Sequence, residues 1–204
     1  MPRILSADDI EEFQSRLCDA AEELFAEHGL EAITMRGLAA KLGVSPMTPY
    51  RYFKDKEAIL AAVRARGFER HAEALEKAYF ETQGDLMERT NAAGAAYIRF
   101  ALENPQAYRL MFDVTQPHEE DYPQLVTAAE RSRATMTRHV RDLIEAGQIE
   151  GDPLMIGHMF WVALHGAIML QFAGKLAPGY EATTILGQMF DRLNRSLAPR
   201  ATHA

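Results

Sequence analysis

The sequence predicts an all-α protein, with a three-helix N-terminal domain that contains a helix-turn-helix (residues 1–56) and a larger helical domain (residues 57–204). Two observations support this fold class. Apolar residues recur at helical spacing along most of the chain, and capping residues, glycines or prolines mark where these stretches begin and end. In addition, 204 residues with 48% hydrophobic content suffice for one large or two small domains with real cores.

The first helix is predicted to begin after Ser6, because Ser6 and Asp9 form the pattern of a capping box. Its apolar residues recur at helical spacing until His28-Gly29, where the helix is predicted to end. These apolar residues are Ile10, Phe13, Leu17, Ala20, Ala21, Leu24 and Phe25. The single cysteine, Cys18, falls within this pattern, so we expect a buried side chain and no intramolecular disulfide.

A helix-turn-helix is predicted between Thr34 and Phe53. Thr34 can N-cap a short helix, and Gly43 can adopt the left-handed conformation that ends it. Ser45-Pro46 and Thr48-Pro49 both match a cap followed by proline, so a second helix is expected to begin at one of them and to carry residues 50–53. Two helices joined by a short glycine-containing turn are typical of DNA-binding proteins, in which the second helix enters the major groove.

Charge supports a polyanionic partner for this segment alone. From Thr34 to Arg66 there are seven basic and two acidic residues, a net charge of +5, whereas the whole chain carries −7. A basic patch on an acidic protein indicates that nucleic acid contacts this patch.

The second domain is predicted to contain several further helices. A long helix follows Lys56, the next one ends near Asn104-Pro105, and the segment 116–123 is predicted to be a loop because it contains two prolines and four consecutive ionisable residues. From Leu154 to Gly174, 21 residues include no Asp, Glu, Lys or Arg, which raises the question of a membrane span. We expect no membrane, because this run contains two histidines, a glutamine and three glycines, and a helix apolar on all sides can be buried between its own core and a partner subunit. With the last helix it would form a four-helix dimer bundle.

The residues around the helix-turn-helix resemble the N-terminal domain of the TetR family of bacterial transcription regulators. The resemblance rests on residues 24–30, 34–36, 42–45 and 50–56 and covers about residues 10–65. It implies a homodimer that binds a near-palindromic double-stranded DNA operator, represses transcription, and releases the operator when a small-molecule effector enters the second domain. Because residues 1–5 contain no apolar run long enough for a signal peptide, we expect the protein in the cytoplasm. By the family pattern, Thr34, Tyr50, Tyr52 and Lys56 are candidates to contact phosphates. Met47, Thr48 and Arg51 are candidates to contact base edges.

Two positions depart from the commoner family pattern. Many members have histidine at the position of Tyr52 and leucine or isoleucine at the position of Pro49, and the proline leaves the start of the second helix undecided. We expect Phe53 to be a core residue and Lys54 a solvated charge. Arg51 is the favoured residue for guanine recognition, because its planar guanidinium matches the two acceptors of that base. The alternative for Arg51 is a solvated side chain or a pair with Asp55.

The second half of the chain resembles a TetR branch named for its Trp, His and Gly. The matching residues are Asn104-Pro105, residues 108–112 and Trp161 with His165-Gly166. This resemblance adds weight to a regulator without naming a ligand. Nine residues from four segments border the core of the second domain, and their methionines, aromatic rings and few polar tips are typical of a pocket for an apolar or aromatic effector. The family resemblance implies such a cavity, and the alternative for each residue is a place in a filled core. The candidates are Tyr97, Phe100, Tyr108, Met111, Phe112, Met136, Phe160, Trp161 and His165.

We expect no enzyme, no cofactor and no metal site. The sequence contains no glycine-rich phosphate loop, nucleophile elbow or paired-cysteine motif. His158 and His165 are about 10 Å apart along one helix, too far to chelate one ion without other ligands, and the acidic cluster 118–121 lacks the spacing of a calcium loop. The alternative function is a helical small-molecule-binding or catalytic protein whose helix-turn-helix is silent.

Overall fold

The computed structural model describes residues 6–112 and 119–199, and these residues form eight α-helices without a β-strand. The prediction of an all-α fold is confirmed. The helices are α1 (Ala7–His28), α2 (Met35–Lys41), α3 (Lys56–Glu81), α4 (Leu86–Glu103), α5 (Pro105–Met111), α6 (Pro123–Glu145), α7 (Pro153–Phe172) and α8 (Ala182–Leu197). Three single 3-10 turns lie at Leu30–Ala32, Pro49–Arg51 and Glu119–Asp121.

The chain divides into two compact units. The first consists of Met1–Phe68 with Gln106–Ala129, and the second of Glu69–Pro105 with Glu130–Ala204. Helices α3, α5 and α6 therefore contribute residues to both units, α5 with only Pro105 in the second. The domain boundary after residue 56 that the sequence indicates stays a prediction.

The core of the first unit is built from α1, α2, the first half of α3 and one residue of α5. Its largest fully buried side chains include Leu17, Ile33, Leu38, Ile59 and Leu110. Cys18 is buried in the same cluster, as predicted, and burial raises the pKa of its thiol. These contacts hold α2 and the segment that follows it against α1.

Local signals place the ends of the first helices as the sequence predicts. The Ser6 side chain accepts a hydrogen bond from the backbone N–H of Asp9, and the Asp9 side chain accepts one from Ser6 in return. Gly29 ends α1 with a φ of 79°. In the loop predicted for residues 116–123, residues 116–118, including His118, lie outside the described part of the chain, and residues 119–121 form a 3-10 turn.

The second unit contains the apolar helix α7. Among the described residues, only α7 is long and apolar enough to cross a membrane, a test that a core helix of a soluble protein also passes. Only about one third of the most apolar 18 residues of α7 are buried within the chain. Its exposed large side chains include Met155, Met159, Val162 and Leu170. Because these positions follow one another at three- and four-residue steps or multiples of them, they form one stripe on the helix.

Candidate nucleic-acid interface and ligand cavity

Helix α2 is capped at both ends as the sequence predicts. The Thr34 hydroxyl oxygen accepts a hydrogen bond of 2.9 Å from the backbone N–H of Gly37. At the other end, Gly43 adopts a φ of 66°, in the left-handed region that favours glycine. The turn that follows α2 is therefore fixed by the backbone.

The second helix of the predicted pair is shorter than expected, and the prediction that it carries residues 50–53 is wrong. Residues Pro49–Arg51 form a single 3-10 turn, with hydrogen bonds from Arg51 N to Thr48 O of 3.1 Å and from Tyr52 N to Pro49 O of 3.0 Å. An α-helix that begins at Ser45-Pro46 would need a hydrogen bond from residue 49 to Ser45 O, which Pro49 cannot donate, and Thr48 N donates to Ser45 O at 2.8 Å instead. Pro49 is therefore the first residue of the short element, and residues 52–53 lie beyond its end.

This turn presents two large side chains to solvent. Pro49 is buried, whereas Tyr50 is 50% exposed and Arg51 is also exposed. Met47, just before the turn, is 68% exposed, and Thr48 is half-buried. Since a buried proline fixes the backbone, Met47, Tyr50 and Arg51 form an exposed surface on a rigid support.

Tyr52 is anchored to α1. Its ring stacks on Phe13 with the ring centroids 4.4 Å apart, and its backbone oxygen accepts a hydrogen bond of 3.1 Å from Gln14 Nε2. Phe53 packs partly buried against the core of the first unit, where the sequence places it. These contacts fix the chain directly after the turn.

Lys56 lies at the start of α3, where backbone N–H groups favour anions. Asp55 accepts a hydrogen bond of 2.8 Å from the backbone N–H of Ala58, as an N-cap residue does. The Lys54 side chain is 91% exposed and lies 4.0 Å from Asp55. Asp55, the acidic residue nearest to Arg51 in the sequence, therefore interacts with the Ala58 N–H and with Lys54.

The basic patch is smaller than the sequence count of seven. Lys41 pairs with Glu23 at 3.0 Å and with Glu27, and hydrogen bonds to both carboxylates raise its pKa. Arg66 pairs with Asp19 at 2.6 Å. Arg64 is buried, donating to Met111 O and pairing with Glu119 at 2.7 Å. The basic residues that remain for a polyanion are Arg36, Arg51, Lys54 and Lys56.

A cavity of about 190 Å³ lies within the second unit. Residues of α3, α4, α6, α7 and α8 line it. Three of the nine ligand candidates are among them: Tyr97, Met136 and Phe160. The structure thus brings part of the predicted set together around one space.

The other six candidates lie elsewhere. Tyr108, Met111 and Phe112 belong to the first unit, where the rings of Tyr108 and Phe112 are 5.0 Å apart. Phe100 packs its ring against His71 of the second unit, with centroids 5.2 Å apart. Trp161 and His165 lie on α7 and are not part of the cavity lining.

The two histidines of α7 differ in their surroundings. His158 is exposed, and its Nδ1 lies 2.8 Å from the backbone oxygen of Leu154. Burial lowers the pKa of His165. Within the described part of the chain, no three His, Cys, Asp or Glu side chains are grouped as metal ligands.

Two small residues of the cavity lining are not among the predicted ligand candidates. Gly94 on α4 and Gly187 on α8 line the cavity, and a Cβ atom added to either would meet no atom within 4 Å. The candidates are aromatic residues, methionines and a histidine, which form the walls of apolar pockets, whereas glycines leave the space between such walls. The run Ala92-Ala93-Gly94-Ala95-Ala96 within a helix is the signal that indicates it.

Both halves of the chain match known family models. Residues 17–63 match the model described as bacterial regulatory proteins, tetR family. Residues 90–197 match the model described as tetracyclin repressor-like, C-terminal domain. The second description is general, so the resemblance to the Trp-His-Gly branch stays a prediction.

Individual proteins show the same similarity. The HTH-type transcriptional activator FasR of Mycolicibacterium smegmatis is 31% identical over 137 residues, which is 66% of this chain and 59% of FasR, so the chain spans about three fifths of that relative. A protein of unknown function from Rhodococcus sp. RHA1 superposes with a TM-score of 0.82 at 28% identity, covering 98% of this chain and 100% of that one. The TetR family regulator PfmR from Thermus thermophilus superposes with a TM-score of 0.69 at 25% identity, covering 88% and 97%.

Proposed function

The chain belongs to the TetR family of bacterial regulatory proteins, and we propose that it is a cytoplasmic repressor that binds a near-palindromic operator as a homodimer and is released by a small effector. Family membership makes it a DNA-binding transcription regulator and not an enzyme. The observation that carries the proposal is the exposed surface of Met47, Tyr50 and Arg51 next to the buried Pro49, with Lys54 and Lys56 following within five residues of Arg51 in the sequence.

Base recognition is assigned to Arg51, with Met47 and Thr48 beside it. A guanidinium can donate two hydrogen bonds to the O6 and N7 acceptors of guanine in the major groove. The nearby Asp55 caps α3, which supports an available Arg51 over the alternative of an Arg51–Asp55 pair. The exposed thioether of Met47 suits an apolar contact such as a thymine methyl group.

Phosphate contacts are assigned to Thr34, Tyr50, Tyr52 and Lys56. Thr34 and Lys56 lie at or next to helix N-termini, which favour anions. Tyr50 is half-exposed, and its hydroxyl can donate to a phosphate oxygen. Such contacts fix the position of the protein on the duplex without selecting a sequence.

The homodimer is assigned to the exposed stripe of α7. Val162 and Leu170, eight residues apart on this stripe, lie on either side of Gly166, where helices of two subunits can approach closely. A partner subunit that covers this stripe removes the apolar surface from water. A two-fold axis then presents one Arg51 surface to each half of an operator.

The effector is assigned to the cavity of the second unit. The continuous helix α3 runs from Lys56, a phosphate-contact candidate, to Leu75, which lines the cavity, and beyond. A ligand alters operator binding only if it binds two conformations with different affinity, and α3 is the element through which we propose that this difference reaches the DNA-binding surface.

Repression is the direction that we propose, although the relative FasR is named an activator. A reporter gene placed behind the operator tests the direction. Expression that rises when the regulator gene is deleted supports repression, and expression that falls contradicts it.

Salt dependence of operator binding tests the DNA-binding surface and the alternative of a silent helix-turn-helix. Four remaining cations per subunit, or eight per dimer, limit the slope of log K against log salt to about −7. Lys56→Ala is expected to reduce its magnitude by about one per subunit. Lys41→Ala, which removes a cation already paired with Glu23 and Glu27, is the control and is expected to change the slope less. A chain that binds no DNA duplex even at low salt would favour the alternative.

A further inference from the structure

We propose that the cavity in the second unit selects an uncharged ligand: a mainly apolar molecule of about the size of a substituted benzene that carries one hydrogen-bonding group. This inference rests on the proposed effector site and names the chemical class that the site accepts. It follows from the volume of the cavity, from the absence of charge in its lining and from one buried hydroxyl group.

The volume limits the part of a ligand that the cavity can hold. A dry cavity of about 150 Å³ lined by apolar side chains binds benzene. The present cavity, of about 190 Å³, is slightly larger and opens to solvent beside the exposed residues Asn91, Thr183 and Gly187. Its inner wall includes Leu75, Tyr97 and Leu186, each at most 2% exposed. The body of the ligand is therefore apolar.

The lining contains polar groups but no fixed charge. Among the described residues that line the cavity, none is Asp, Glu, Lys or Arg. The polar side chains are Thr90, Asn91, Tyr97, His139, Thr183 and Asn194. An ionised group placed against the buried inner wall of the cavity would lose its hydration without gaining an opposite charge, which is far more costly than burying a neutral polar group.

His139 does not supply a charge at neutral pH. It is buried, and this burial lowers its pKa to about 4, against weaker opposing effects from a backbone hydrogen bond with Thr135 and from Asp142. The ring of Tyr79 lies 6.1 Å from its ring, and Arg138 lines a small neighbouring pocket together with it. The imidazole therefore faces the ligand in its neutral form.

Thr90 offers a hydrogen bond to the ligand. Its Oγ1 is buried and has no hydrogen-bond partner among the described residues. A buried polar atom without a partner is rare and costs stability, so a ligand that bonds to it gains affinity. Because a hydroxyl group both donates and accepts, a carbonyl, amide or hydroxyl on the ligand can satisfy it.

Benzamide and benzoate form a matched pair of probes, because they share shape and differ in charge. We expect calorimetry to show binding of benzamide to the full chain. A probe with an ordinary carboxyl pKa of ~4.3 is protonated in about one molecule in 500 at pH 7 and in about one in six at pH 5. If the cavity accepts only the protonated acid, the apparent affinity for benzoate is therefore lower than the affinity for the acid by about 500-fold at pH 7 and about sixfold at pH 5. Benzoate that binds as tightly as benzamide at pH 7 would overturn the proposal.

The variant His139→Gln identifies which group takes up the proton. If the ligand takes up the proton, the pH dependence of benzoate binding is unchanged in the variant. If the pH dependence disappears in the variant, the cavity pairs an anion with a protonated His139, and selection for uncharged ligands is wrong. Thr90→Val is expected to weaken benzamide about 2- to 12-fold and to leave toluene, which has no polar group, unchanged.

Filling the cavity separates failure of this proposal from failure of the proposed effector site. Gly94→Leu and Gly187→Leu place side chains where the backbone leaves space, and each is expected to weaken benzamide at least tenfold. Thr184→Leu, on the exposed side of α8 and outside the lining, is the control. Tight benzoate binding that the glycine variants abolish contradicts the charge selection alone. Probes that do not bind, or that bind regardless of these variants, contradict the effector site itself.

Discussion

Two buried histidines in the second unit are predicted to make the protein sensitive to mild acid. His71 is 1% exposed, its Nδ1 lies 2.9 Å from Ser132 Oγ, and its ring contacts two aromatic rings edge to face. His139 is 7% exposed. Burial lowers the pKa of each imidazole to about 4, because the charged form loses its hydration.

The direction follows from the lowered pKa. The unfolded chain binds a proton at each histidine below about pH 6.5, whereas the folded chain does so only near pH 4. The stability from the neutral rings is therefore present above pH 6.5 and is lost as the pH falls toward 4. Between pH 7 and pH 5 the loss is about 1.8 kcal/mol for each histidine and about 3.6 kcal/mol for both.

Urea unfolding at one protein concentration, measured at pH 7 and pH 5, tests this prediction. Above pH 5 most carboxylates remain ionised, so the histidines dominate the change. His71→Phe and His139→Gln are each expected to reduce the pH-dependent loss by about 1.8 kcal/mol, whatever their effect at pH 7, and His165, whose pKa burial also lowers, accounts for a further loss that remains in both variants. His28→Gln, at the exposed end of α1, is the control. Equal stability at the two pH values, or NMR titration midpoints near 6.5 for both rings, would refute the reasoning.

Three further predictions concern DNA, the dimer and a buried hydrogen bond. Arg51→Ala is expected to weaken operator binding by about 1–3 kcal/mol and to relax the base preference at one position per half-site. Binding to a set of single-base operator variants measures this preference, and Lys54→Ala is the control. Val162→Asp, which places a charge in the exposed stripe of α7, is expected to give a monomer by light scattering; a dimer in this variant would place the interface elsewhere. Tyr79→Phe removes a hydrogen bond of 2.5 Å from the phenolic hydroxyl to Asp142 and is expected to destabilise the protein by about 1.5–3 kcal/mol in urea at pH 7, and an unchanged midpoint would contradict that role.

Structural features that depend on only a few neighbouring residues were predicted correctly from the sequence. The capping box at Ser6, the N-cap at Thr34 and the positive φ of Gly43 all occur where expected, because each depends on hydrogen bonds and backbone conformation inside one turn. The same locality explains the confirmed fold class. Helical periodicity can be read without identifying the packing partner.

Features that depend on distant partners were not predictable in the same way. Lys41 and Arg66 were counted in the basic patch, but their acidic partners lie on α1, 14 residues or more away in sequence. The cavity depends on where five helices fail to fill space, so a set of aromatic residues captures it only in part. The length of the turn at Pro49–Arg51 was not predicted either, because a cap followed by proline indicates where a helix begins and not how long it is.

Selection of bound duplexes from a random-sequence DNA library tests the central claim most directly, because the operator sequence need not be specified beforehand. For the full chain, we expect one enriched motif with two-fold symmetry and half-site centres about one helical turn, roughly 34–36 Å, or a multiple of this distance apart. The Arg51→Ala variant is expected to enrich the same motif, but without the preference for guanine at one position in each half-site. Enrichment of no motif at all, or of one without symmetry, would contradict the account of a homodimeric operator-binding regulator.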